Sequence, residues 1–131
     1  PLVDEQLRPD VAIIDRTLVK NLPPALIADG GFDVLTHALE AYTATNAGAV
    51  TDALARDAFQ TTFRQLAHSF RGDQTARGQV HEAATMAGMA FSQAGLGLCH
   101  AMAHSLGGCH QLFQIFPALP GWRNAVKAKS L

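Results

Sequence analysis

From Pro24 to about Gly108, apolar residues recur every three or four positions, and alanine fills much of the space between them. That period is the helical one. Alanine is the strongest helix former, and β-branched residues are sparse here. The pattern predicts a first helix over Pro24–Tyr42, with Leu35, Ala38, Leu39 and Tyr42 at helical spacing. Gly30-Gly31 offers a point of interruption, with Asp29 or Gly30 capping the second half. A second helix is predicted over Val50–Arg71, entered through Thr51-Asp52 as a capping pair. Its Phe59, Phe63, Leu66 and Phe70 share one face and are expected in the core. Arg71-Gly72 suits its end, with a cation at the negative pole and a glycine free to take the left-handed cap. A third helix is predicted over Thr75–Ala94, with Val80, Ala84, Ala87 and Phe91 as its inner face. Gly95-Leu96-Gly97 punctuates it, and a short helix follows over Cys99–Gly108. The expected fold class is all-α: a multi-helix bundle with a short extended N-terminal lead-in.

The lead-in is residues 1–22, where Val11-Ala12-Ile13-Ile14 reads as one strand or a buried approach to the bundle. Residues 109–131 differ from both. They hold two prolines and the only Trp and show no clear period. The whole chain has 131 residues, which sets an expectation of one domain. Ten basic against eleven acidic side chains leave no basic footprint, so nucleic acid is not an expected partner. No apolar run approaches the length of a membrane span. Two cysteines, Cys99 and Cys109, are too few for a disulfide scaffold, and the expected location is a reducing, cytoplasmic one. Charged residues are only 16% of the chain while mean hydropathy is +0.08. Some apolar surface is therefore expected to meet a partner domain or a second copy, giving a homo-oligomer.

Two spacings carry candidate chemistry. Asp33 and His37 lie four residues apart, so on a helix both heads reach toward one point. His100 and His104 repeat the spacing. A carboxylate with imidazoles is a ligand set for Fe(II) or Zn(II). Each pair also has a plainer reading, as a surface ion pair or a chance HxxxH. His100 and His104 sit among small and apolar neighbours in sequence, with little polar company for an idle imidazole. His68 and His81 adjoin polar residues and are expected to be exposed, and His110 is ambiguous. There is no GxGxxG, P-loop or GxSxG sequence.

The stretches Asp10-Val-Ala-Ile-Ile-Asp15, Leu22-Pro-Pro24 and Gly31-Phe-Asp33-Val-Leu-Thr-His37-Ala-Leu-Glu40-Ala-Tyr42 resemble a signature of the iron-containing (group III) alcohol dehydrogenases. Ala87-Gly88-Met-Ala-Phe91 through Leu98-Cys-His100-Ala-Met-Ala-His104-Ser-Leu-Gly107 resembles its second signature, in the same order and separation. The resemblance covers about residues 5–108. It implies a truncated helical domain of the dehydroquinate synthase-like kind, and an enzyme that interconverts primary alcohols and aldehydes with NAD(P) and a divalent metal, Fe(II) or Zn(II). By the same resemblance Asp33, His37 and His100 are metal ligands and His104 is the catalytic proton carrier. The family's dinucleotide-binding glycines have no counterpart in this sequence.

The implied organisation is a lead-in at 1–22 from an absent nucleotide-binding domain, a metal-binding helical domain at 23–108 and an atypical tail at 109–131. The family places a fourth ligand, a histidine, fourteen residues after the position of His100; here that position is Gln114. Codons allowed for Pro117–Ala125, read one base later, permit Pro-His-Cys-Leu-Ala-Gly-Ala, so a frameshift near residue 109 would explain the tail. The chain is thus expected to be an oxidoreductase fragment, inactive alone, whose intact form takes a small alcohol or aldehyde. The alternative is a non-catalytic helical metal-binding or interaction module.

Overall fold

Pro24 opens the first long helix at a position where its missing N–H costs nothing. The computed structural model describes residues 9–110, with side chains described to residue 107. In order they form a 3-10 turn (Arg16–Val19), α1 (Pro24–Thr43), α2 (Ala49–Phe70), α3 (Gln74–Ala94) and α4 (Leu98–His110). No strand occurs among the described residues, and the fold class is all-α. Gln114 and the rest of the atypical tail beyond residue 110 lie outside the described residues.

Local chemistry sets the helix ends. At α2 the Thr51 hydroxyl accepts from the Gly48 N–H at 2.8 Å and donates to the Gly48 carbonyl at 2.9 Å. Asp52 adds a negative charge to the first turn. After α2 the chain turns through Gly72 at φ +102°. Asp73 then caps α3, accepting from the N–H groups of Thr75 and Ala76.

Three expectations fail on particular residues. Helix α1 is not interrupted at Gly30-Gly31, and Asp29 is buried inside it rather than acting as a cap. A helical glycine costs about 1 kcal/mol against alanine, which is too little to force a break. Gly31 also has a packing purpose: a Cβ there would lie 2.2 Å from Cδ1 of Leu66 on α2, so only glycine allows that approach. Next, the aromatic face of α2 is only partly in the core: Phe59 packs against the cluster around Ala58 and Leu66 against Gly31, but the other two residues do not follow. Phe63 is 71% exposed, Phe70 is exposed too, and the buried stripe is Thr51, Ala55, Ala58, Thr62 and Ser69. That stripe has the same helical period but small side chains, which let α2 lie close against α1 and α3. A phenylalanine face would hold the helices apart.

The third failure is the lead-in strand. Val11 is 77% and Ile13 89% exposed, without strand structure. A lone strand leaves its backbone groups unpaired, and no other strand is described to pair with it. What holds the lead-in is the 3-10 turn. Asp15 caps it through the Thr17 N–H, and Arg16 reaches over Gly78 to Glu82 at 2.6 Å. Arg77 on α3 donates to the Lys20 carbonyl.

The core between α1, α2 and α3 is built mostly of alanine. One cluster holds Val34, Ala38, Ala58, Ala83 and Ala87; a second holds Ala41, Ala55, Ala90 and Ala94. Each alanine buries little area, so the bundle gains from close backbone approach and contact density rather than from large side chains. This packing fixes α1 as a rigid rod, and α1 carries half of the site.

Candidate metal centre

Asp33, His37 and Glu40 fall at i, i+4 and i+7 of α1 and so share a face. Opposite them is the first turn of α4, which carries His100. Gly95, at φ +91° and ψ 179°, lets the chain leave α3 and turn into α4. The structure thereby brings together Asp33, His37 and His100, whose donor atoms all lie within 4.8 Å of one another. The His37 Nδ1 is 3.4 Å from Asp33 Oδ2, and the His100 Nε2 is 3.7 Å from Asp33 Oδ1. The His37 ring is sandwiched, with the Phe91 ring at 4.5 Å on one side and the His100 ring at 4.2 Å on the other. His104 is half-buried, its ring centre 6.4 Å from that of His100.

The electrostatics favour ligand forms. Burial pushes the His37 imidazole below the ordinary histidine range; the Asp33 carboxylate opposes that, and His100 adds to it. His37 is therefore neutral at neutral pH, with a lone pair to offer. Asp33 is the most open of the three, with 43% of its side chain exposed against 13% for His100. One face of the cluster is thus reachable from outside. A carboxylate and two imidazoles suit Fe(II) and Zn(II), whose bonds to such ligands are about 2.0–2.2 Å. Three donors already this close need only small side-chain adjustments to share one such ion.

Sequence reasoning missed Glu40. His100 was expected to lack polar company, yet its Nδ1 lies 2.5 Å from Glu40 Oε2. The same carboxylate accepts from the N–H groups of Gly97 at 2.9 Å and Cys99 at 2.6 Å. Burial works to raise the Glu40 pKa, but these hydrogen bonds outweigh it and hold the carboxyl below the ordinary range. The available signal was its register: Glu40 stands seven residues from Asp33 and three from His37, on the same helical face. Of the other histidines, His68 is exposed as expected. His81 is half-buried instead, lining a cavity of about 140 Å³ between the lead-in and the helices. The side chain of His110 lies outside those described.

An all-α bundle whose first helix brings an Asp-His pair to a histidine of its last described helix has the donor set of a candidate metal site. Residues 27–113 match the Fe-containing alcohol dehydrogenase family, C-terminal region, and the chain belongs to that family. It is 57% identical over 110 residues to the 1-propanol dehydrogenase PduQ of Citrobacter freundii, covering 82% of this chain and 30% of that protein. Its fold is similar to that of an iron-containing alcohol dehydrogenase from Thermococcus thioreducens, with a TM-score of 0.79 and 48% identity over 82% of this chain and 28% of the other. It is also similar to a sulfoacetaldehyde reductase from Bifidobacterium kashiwanohense in complex with NAD+, with a TM-score of 0.81 and 29% identity, covering 87% of this chain and 31% of that one. The chain therefore spans about 30% of the length of the propanol dehydrogenase it matches.

Proposed function

We propose that residues 23–108 are the metal-binding part of an alcohol dehydrogenase that interconverts a small primary alcohol and its aldehyde. The observation that carries this reading is the convergence of Asp33, His37 and His100 donor atoms within 4.8 Å. The propanol dehydrogenase relative supports the substrate class, and the reductase described with NAD+ supports a nicotinamide cofactor. When bound, Fe(II) or Zn(II) supplies Lewis acidity that makes an alcohol O–H more acidic, and NAD(P) supplies the hydride acceptor. The chain's own residues do the rest. Asp33, His37 and His100 hold the ion, and the open Asp33 side faces the substrate. His104, one helical turn beyond His100, takes the alcohol proton and passes it outward. The intact enzyme works in the cytoplasm as a homo-oligomer.

In this reading the chain binds metal but does not complete the reaction by itself. Its 131 residues contain no GxGxxG sequence leading from a strand into a helix to hold a pyrophosphate. A metal titration of the purified chain tests the ligand assignment. One ion should bind, and alanine at Asp33, His37 or His100 should weaken binding at least tenfold, while His104→Ala should leave it unchanged. Loss of metal from the His104 variant would make His104 a ligand and overturn the division of roles. A second reading is a metal-binding module without turnover. Joining the chain to a nucleotide-binding domain from the propanol dehydrogenase separates the two, because only the enzyme reading predicts alcohol-dependent NADH formation.

A further inference from the structure

Glu40 lies outside the proposed ligand set, and its carboxylate makes three contacts with the N-terminal turn of α4. Oε2 faces His100 Nδ1 at 2.5 Å and accepts from the Gly97 N–H at 2.9 Å, while Oε1 accepts from the Cys99 N–H at 2.6 Å. The side chain is only 11% exposed, and His100 is 13% exposed. The fit is close on the backbone side as well. A Cβ at Gly97 would meet the Glu40 carboxylate at 3.0 Å, so residue 97 is tight around this group. Among the described residues no other contact fixes the His100 ring as directly: His37 stacks on its face, which sets a plane but leaves free which nitrogen carries the proton.

We infer that Glu40 is a positioning residue for the metal centre: it fixes the tautomer and aim of His100 and, with the same carboxylate, docks the helix that carries it. A carboxylate has only acceptors to offer, so the short contact to Nδ1 requires a proton on that nitrogen. The neutral ring then has its lone pair on Nε2, the nitrogen that points to Asp33. Ligating histidines commonly show this outer hydrogen bond, and losing it typically costs 10–100-fold in metal affinity. Here the partner also caps α4 at Gly97 and Cys99. Ring orientation and helix position are therefore set by one group reaching across sixty residues of sequence.

This inference rests on the ligand role proposed for His100, and the experiment keeps the two separable. The full chain is labelled with 15N-histidine, and the His100 resonance is identified by its loss in His100→Ala. In the metal-free chain, long-range proton–nitrogen correlations should show His100 as the Nδ1–H tautomer. In Glu40→Ala and Glu40→Gln it should become a mixture of tautomers. Gln keeps the size of Glu but can turn either its oxygen or its NH2 toward Nδ1, so it no longer dictates the tautomer, and it serves if the Ala variant does not fold. Titration with Zn(II) alone should show 10–100-fold weaker binding in both variants, and Glu40→Asp should recover part of it. A group that only capped α4 would change helix stability without moving the tautomer ratio. An unchanged tautomer in the variants, or Zn(II) affinity within twofold of wild type, overturns the inference. Failure of the wild-type chain to bind Zn(II) at all would instead overturn the ligand assignment.

Discussion

Asp15 shows how much one exposed side chain can organise. Its carboxylate caps the 3-10 turn through the Thr17 N–H at 2.8 Å, and this backbone hydrogen bond holds its pKa below the usual range. The sign of the pH effect follows. A carboxylate with a depressed folded-state pKa stabilises the fold above its unfolded value, and the contribution disappears as pH falls through the lowered one. The Thr17 amide proton should therefore shift with a midpoint below that of an ordinary aspartate. In Asp15→Asn that titration should vanish from the pH series. Residue identities near the site were legible in the same local way. The pairs Asp33–His37 and His100–His104 stand out by spacing, because two groups four apart on a helix share a face whatever surrounds them; only the family resemblance separates His100 from His104 in role. Glu40 was not legible, since its role depends on where α4 lands, and that is a tertiary fact.

Element ends were easier to read than element faces. Proline at the start of α1 and glycine after α2 are local signals, and the helices begin and end close to them. The inner face of α2 followed another rule. Two stripes with the same period compete there, one of phenylalanines and one of alanine, serine and threonine. Area burial alone favours the first. The small stripe takes the centre because α1 and α3 also present alanine and glycine there, and Phe59 packs against that cluster as a partly buried ring. This yields a paired expectation. Phe63→Ala, on the exposed side, should change the free energy of urea unfolding by no more than about 0.5 kcal/mol. Ala58→Leu, at a position with no exposure, should cost about 1–3 kcal/mol by overpacking. Equal costs for the two would mean that the ring face is buried in solution.

At the scale of the molecule, an alanine-built interior has a complement on the outside. The large apolar side chains displaced from the core lie on the surface: Phe32, Leu39 and Tyr42 on α1, Phe63 and Phe70 on α2, and Met89 on α3. No described helix is long and apolar enough to cross a membrane, so this surface is not that of a spanning segment. Exposed apolar area of this kind drives association. Light scattering should show a species larger than the 13.9 kDa monomer at micromolar concentration. A monomer with no affinity for an apolar dye would count against that expectation.

Among the described residues, α4 packs far less against the bundle than the first three helices pack against each other, and its hydrogen bonds with α1 centre on the site. An element held by few contacts should open and reclose more readily than the rest of the fold. The donor atoms of Asp33 and His37 are carried by α1 alone, whereas His100 reaches them through α4. Loading of an ion from solution then becomes a gated event rather than a simple collision. In stopped-flow mixing with rising Zn(II), the observed rate should climb and then level off at the rate of helix docking. Weakening the Gly97 and Cys99 hydrogen bonds should move that plateau, while the initial slope would still follow the encounter with Asp33 and His37.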